Sequence, residues 1–275
     1  MLVGFAVYLF GLVFLIWPTG MFWRVMHAIW DADDGYRRRM NNVHVTRWGN
    51  RLGEIIFPLV GTQIVFHIPQ QIPSRMERRP RIYVINHRSV LDALILLMLA
   101  HRMGDDDMRW VIKLGMLNIP FLGGVMRGTG NALVMRRKDR PELDDNVRRR
   151  WNRMAMRRFM RDAQNDAVSV GIFPEGERFT GAKPGVRRQN VGALIGAGGF
   201  KQMCTHLTRH VVVDATIVWP NTTGGRTMFE TDVFCDKEIH VYANIHPHVH
   251  PERAEIFLEE RWEEKEVLMS HTLLA

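Results

Sequence analysis

From Arg81 onward the chain alternates between short apolar runs and stretches with helical period, and this alternation narrows the folds open to it. Arg81-Ile-Tyr-Val-Ile-Asn86, Trp110–Ile112, Asn131–Met135, Ser169–Phe173, Val211–Trp219 and Glu238–Ile245 are short and rich in β-branched residues, which predicts strands. Between and after them, Val90–Ala100, Glu142–Gln164, Phe200–Leu207 and Glu252–Val267 read as helices. In the longest, Val147, Trp151, Ala155 and Phe159 recur every four residues, while Arg149, Arg153, Arg157 and Arg161 hold another face. Strands alternating with helices predict an α/β layered fold whose sheet is largely parallel, with flanking helices. No internal repeat and no long flexible linker interrupts the pattern.

The N-terminal region has a different character. Met1–Trp17 contains no charge, and the first charged residue is Arg24. Seventeen helical residues span roughly 26 Å and twenty-three roughly 35 Å, which brackets the hydrocarbon core of a bilayer. A signal peptide would carry a basic leading segment and an A-x-A cleavage site, and neither is present. The run is read as a membrane attachment, with Trp17, Phe22, Trp23 and Trp30 as an interfacial belt; the alternative is a buried core helix, since Pro18 and Gly20 interrupt it. Arg24 and Arg37–Arg39 beyond it place the rest of the chain on the cytoplasmic face. Ile55–Phe66 is a second apolar stretch, but its twelve residues reach only about 18 Å as helix. It is expected as an interfacial or re-entrant helix, the alternative being a helix or strand packed on the core. The expected organisation is residues 1–72 as membrane-anchoring helices and 73–275 as the α/β domain.

Composition excludes several classes. With 46% hydrophobic and 24% charged residues over 275 positions, the chain is globular. Its two cysteines, Cys204 and Cys235, form no CxxC, which excludes a disulfide scaffold and argues against a thiolate zinc site. Lys and Arg number 37 against 29 Asp and Glu, a net +8. Such a balance suits nucleic acid, an anionic membrane or a phosphorylated substrate. The charge is uneven: Arg136–Arg161 holds eleven basic and four acidic residues, and Glu252–Glu266 seven acidic and three basic. No nucleic-acid motif is present and an uncharged N-terminal run does not suit one, so no nucleic-acid partner is expected. His246-Pro-His248-Val-His250 has alternating histidines that would share one face of a strand, the pattern of a metal-dependent hydrolase. It lacks an identified fourth ligand and is flanked by Pro247 and Pro251, so no metal is assigned.

Two motifs fall just after predicted strands. In Asn86-His87-Arg88-Ser89-Val90-Leu91-Asp92, a helix opening at Arg88 would let the Asp92 carboxylate fold back on the His87 ring and make it a better oriented general base. In Phe173-Pro174-Glu175-Gly176-Glu177-Arg178-Phe179, Gly176 permits a tight turn and Arg178 offers a fork for a phosphate. In this order the pair resembles the glycerolipid acyltransferase family, which includes the 1-acylglycerol-3-phosphate acyltransferases. Asn86, His87 and Asp92 match its N-H-x4-D motif; Phe173, Pro174, Glu175, Gly176 and Arg178 match F-P-E-G-x-R. Lys113, Pro120-Phe121-Leu122-Gly123 and Gly130-Asn131 through Arg136 match the blocks between them. Asp214-Ala-Thr-Ile-Val-Trp-Pro220 and Glu238-Ile-His-Val241 are similar to blocks of the lysocardiolipin acyltransferase branch. The chain departs from the family in having Glu177 where Thr or Ser is usual and Met135 before Arg136.

The resemblance implies a membrane-bound enzyme that moves a fatty acyl group from a thioester to a lysophospholipid hydroxyl, first of all 1-acylglycerol-3-phosphate. It implies His87 as general base, Asp92 as its orienting partner, and Arg136, Arg178, Glu175, Gly176 and Lys113 at the acceptor site. No cofactor is implied; acyl-CoA or acyl carrier protein is the donor substrate, and membrane lipids are partners. The Arg-rich 148–161 stretch suits a polyanionic donor, an anionic lipid or plain solvation. The implied place is a membrane with the catalytic domain on its cytoplasmic face, a bacterial inner membrane or, alternatively, the endoplasmic reticulum.

Overall fold

A computed structural model of the protein describes residues 34–69, 79–89, 91–118, 123, 126, 128–177, 179, 190–194, 197–219 and 237–274. The charge-free run Met1–Trp17 and its aromatic belt lie outside the described residues. Among the described residues, no helix is long and apolar enough to cross a membrane.

Among the described residues, seven strands form one sheet: β1 (Gln63–His67), β2 (Arg81–Ile85), β3 (Met108–Lys113), β4 (Ala132–Val134), β5 (Ser169–Ile172), β6 (Val211–Val218) and β7 (Glu238–His246). Their order across the sheet is β1-β7-β6-β2-β5-β3-β4. Strands β6, β2, β5, β3 and β4 are parallel, with Ile82 opposite Val170 on one side and Val212 on the other. Strand β7 runs antiparallel to β6, and β1 pairs in parallel with β7. The expected α/β fold with a largely parallel sheet is the fold observed.

Strand β2 shows why its run is uninterrupted in apolar residues: it is buried on both faces. Ile82 and Val84 point into one core, which they share with α3 (Asp145–Asp166), α4 (Ala197–His206) and α5 (Ala254–Leu274). Tyr83 and Ile85 point into the other, beneath α1 (Asp34–Leu59) and α2 (Asp92–Arg102). Asp144 caps α3 by accepting from Asn146 N at 2.7 Å, so this helix starts three residues later than the pattern predicts.

The reading of Ile55–Phe66 as an interfacial helix is corrected by the fold. Helix α1 ends at Leu59, a turn passes through Gly61 in the left-handed region, and β1 begins at Gln63. A β-carbon on Gly49 or Gly53 would strike Leu97 or Met98 of α2, so α1 packs closely on the domain. The alternative, a segment packed on the core, is the one the chain adopts.

Candidate active site

Five strands pointing the same way deliver their C-terminal ends to one edge, where open α/β sheets hold their ligands. His87 follows β2, Glu175 follows β5, Lys113 ends β3, Arg136 follows β4 and Trp219 follows β6. At the usual strand spacing, β2 and β4 are about 14 Å apart, so His87 and Arg136 share the edge without touching.

Asp92 organises the centre of this edge. Its Oδ2 accepts from the His87 ring at Nδ1 (3.0 Å) and from the backbone N–H groups of Arg88 (2.6 Å) and Ser89 (2.7 Å). Its Oδ1 accepts from Trp219 Nε1 at 2.9 Å. The carboxylate is fully buried, at the first residue of α2, where the N-terminus of a helix favours negative charge. The helix opens at Asp92 and not at Arg88: Arg88 and Ser89 precede it and turn their N–H groups onto the carboxylate. Because a carboxylate only accepts, Nδ1 carries the imidazole proton and Nε2 its lone pair. Phe173 stacks on the ring, centroids 4.3 Å apart, and fixes its plane. Ser89 is buried and its Oγ accepts from Leu91 N at 3.2 Å, which turns it toward the backbone.

Glu175 lies behind His87. Its side chain is 1% exposed. Oε2 accepts from His87 N at 3.1 Å, while Oε1 accepts from Gly192 N at 3.2 Å and Trp262 Nε1 at 3.3 Å. Desolvation pushes this carboxyl up to about 7, against the pull of its backbone donors. The carboxylate expected at the acceptor site thus reaches His87 through the backbone. Gly176 adopts φ 68° and closes a turn by donating to Phe173 O at 2.9 Å. That N–H is used inside the turn, and Glu177 beside it is exposed.

The remaining expected site residues divide. Arg136 is 31% exposed, and its Nε stands 3.7 Å from Asp139. Lys113 is half-buried at the end of β3. Arg178 and Pro120–Leu122 lie outside the described residues. Gly130 (φ 67°) and Asn131 shape the entry to β4: Asn131 Oδ1 accepts from Trp110 N at 2.8 Å, tying the loop to β3.

The histidine run does not converge. His246 meets the Phe257 ring edge-on, His248 Nδ1 lies 3.3 Å from His210 Nδ1, and His250 faces Glu252 at 3.8 Å. Strand β7 ends at His246, so the alternation that would align the three is lost in a loop. Among the described residues, no group of three His, Cys, Asp or Glu is placed to hold a metal ion.

Sequence reasoning missed three roles. Trp219 bonds Asp92, Trp262 bonds Glu175, and Asn86 joins β2 to β6 by donating to Ile217 O (3.0 Å) and accepting from Ile217 N (2.8 Å). Only Asn86 carried a local signal, its place at the end of a strand beside His87.

Residues 63–218, more than half the chain, match the family model described as Acyltransferase. No curated protein matches the chain. Among solved structures, the fold is similar to the crystal structure of the 1-acyl-sn-glycerophosphate (LPA) acyltransferase, PlsC, from Thermotoga maritima, with 20% identity and a TM-score of 0.61. That match covers 98% of this chain and 93% of the other.

Proposed function

The chain belongs to the acyltransferase family, and on that premise we propose that it acylates a lysophospholipid hydroxyl from an acyl thioester, with 1-acylglycerol-3-phosphate as the acceptor. The observation that carries this reading is the His87–Asp92 pair, whose hydrogen bond leaves Nε2 as the basic atom of the ring. A hydroxyl is a weak nucleophile and needs its proton removed as it attacks. His87 Nε2 takes that proton while the hydroxyl oxygen bonds to the thioester carbonyl carbon. Asp92 steadies the imidazolium so formed. The tetrahedral adduct then collapses, the C–S bond breaks, and the imidazolium returns the proton to the departing thiolate. The turned-in Ser89 supports direct transfer without an acyl-enzyme.

Arg136, on the same edge and partly exposed, and Arg178 are assigned to the acceptor's phosphate, with Lys113 between the two strands that flank it. Glu175 and Gly176 shape that pocket from behind. The donor is acyl-CoA or acyl carrier protein. The enzyme works at a membrane, anchored by its N-terminal apolar run, with the catalytic edge on the cytoplasmic side.

A second acceptor is favoured by one observation. The blocks similar to the lysocardiolipin branch lie on β6 and β7, where Asp214 holds the buried Lys265 behind Trp262 and Glu175. They act on the site from its supporting layer, and acylation of another lysophospholipid, such as lysophosphatidylglycerol or lysocardiolipin, is the second reading.

The test is acyl transfer from labelled oleoyl-CoA by membranes containing the protein, with each acceptor offered separately. Product from lysophosphatidic acid that disappears in His87→Ala is the expected result. Product from the other acceptors alone selects the second reading. Absence of product with every acceptor, with carrier-protein donors as well, overturns both.

A further inference from the structure

Helix α3 buries one face and exposes an unusual one opposite. Met156, Phe159, Met160 and Ala163 enter the core. Val147, Trp151 and Met154 are 52%, 36% and 62% exposed. Their spacing of four and three residues aligns them in one stripe, and at about 100° per residue that stripe is centred opposite the buried face. Arg150, Arg153 and Arg157 are exposed alongside it. Arg148 is held by Asp145 at 2.8 Å, and Arg161 by Asp162 at 3.2 Å. Among the described residues, Arg149, Arg150, Arg153 and Arg157 form no salt bridge.

Both features cost stability in water. Like charges four residues apart repel on a helix, as Arg149, Arg153 and Arg157 are placed to do. A helix facing only solvent gains nothing from a Val, a Trp and a Met on its outer side. One kind of partner relieves both, a surface that is anionic outside and apolar just beneath. The position fits. Helix α3 packs on β4, the edge strand that leads to Arg136.

We propose that the outward face of α3 is a docking surface for an anionic lipid bilayer, with Trp151, Val147 and Met154 seated among the head groups and Arg150, Arg153 and Arg157 on lipid phosphates. It rests on the reading of the chain as a lipid enzyme and adds a contact distinct from the N-terminal run. Trp at the level of the head groups is where its apolar ring and polar N–H are both satisfied.

The experiment uses the full chain with Met154→Cys carrying an environment-sensitive nitrobenzoxadiazole dye, in a Cys235→Ser background; Cys204 is buried and does not compete. The protein is mixed with vesicles of phosphatidylcholine alone or of phosphatidylcholine with phosphatidylglycerol. The expected result is a blue shift, and quenching by spin-labelled lipid, in the anionic vesicles only, lost as salt is raised. Each arginine removed should weaken this contact about fivefold, so Arg150→Glu/Arg153→Glu/Arg157→Glu abolishes the shift. The corresponding Gln triple variant, with an unchanged thermal melt, should show a partial loss. A shift that is equal in neutral vesicles, absent in both, or unaffected by the charge reversal overturns the proposal. A shift produced without vesicles also overturns it. With added acidic carrier protein it would assign the face to that partner; with rising protein concentration it would assign it to a second copy, whose α5 exposes Glu255 and Glu260. Acyl transfer in detergent, measured on the same preparation, separates the two readings. Transfer without a dye response sinks the docking surface alone, and a dye response without transfer sinks the proposed reaction alone.

Discussion

The backbone N–H of His87 donates to Glu175 Oε2 at 3.1 Å, so the carboxylate of one motif holds the main chain of the other. Burial raises the Glu175 carboxyl from 4.5 to about 7. The folded chain therefore binds this proton more tightly than the unfolded chain does, and the group's contribution to stability is full below pH 4.5 and lost as pH rises toward 7. The loss is about 3 kcal/mol at most. Glu175→Gln cannot titrate, so the stability of the native protein relative to this variant should fall across that window. Urea unfolding of both proteins at several pH values measures it. The buried His210 and the half-buried His44, each held down near 4 by desolvation, tilt the stability of both proteins the other way and cancel in the difference. A pH-independent difference would show that Glu175 does not titrate in the fold.

Asp92 is expected to be sensitive even to isosteric change. It accepts from four donors, and Asn in its place would aim an N–H2 group at N–H groups. Asp92→Asn should lower acyl transfer by about 10²–10⁴-fold and stability by about 1–3 kcal/mol. Trp219→Phe removes the N–H donor and, since phenyl is smaller than indole, some buried ring volume as well. It should cost about 1–2 kcal/mol and lower kcat with little change in KM, since its N–H reaches His87 only through Asp92. Kinetics and denaturant unfolding of the two variants check this, and an unchanged kcat in Trp219→Phe would remove Trp219 from the site.

The parts legible in the sequence are those whose causes are local. Strand β2 is a continuous apolar run from Ile82 to Ile85, and β5 and β6 are largely apolar, because both faces of the sheet are covered; His87 and Asp92 lie only five residues apart. What was not legible depends on partners far along the chain. Ile55–Phe66 is apolar throughout, yet helix end, turn and strand succeed one another within it. Period cannot divide so short a run, and β1 is defined by its pairing with β7 near the other end of the chain. Lys265 sits in a Glu-rich helix and reads as solvated, but its carboxylate partner lies on β6. Glu175 reads as a ligand-binding carboxylate for the same reason: the groups that bury it, Gly192 and Trp262, are not neighbours in sequence.

Lys265 is 1% exposed; its Nζ lies 2.5 Å from Asp214 Oδ1 and donates to Ala215 O and Thr216 Oγ1. It also stands 5.1 Å from the centre of the Trp262 ring, whose N–H bonds Glu175. Desolvation lowers its pKa and Asp214 opposes that shift. Removing one member of a buried pair leaves the other charge uncompensated, so Lys265→Met should cost about 3–5 kcal/mol. Adding Asp214→Asn removes the stranded charge and should recover a large part of the loss. Denaturant unfolding of the single and double variants decides the matter. Equal stabilities would mean that the two side chains do not act as a pair.

Asn86 provides the last prediction, because it explains how a polar residue comes to be buried next to His87. Its amide both donates to and accepts from the backbone of Ile217, continuing the β2–β6 pairing one step past Ile85. That step fixes the distance between the strand end that carries His87 and the one that carries Trp219. Asn86→Leu keeps the volume but leaves the Ile217 N–H and C=O without partners, at a cost of about 2–4 kcal/mol. Asn86→Asp still accepts from the N–H, loses the bond to the C=O, and buries a charge, so it should be no more stable. Amide hydrogen exchange gives the specific readout: Ile217 should lose protection in both variants while Val213, in the middle of β6, keeps it. Ile217 protected as in the native protein would show that the strand ends stay paired without the Asn86 side chain.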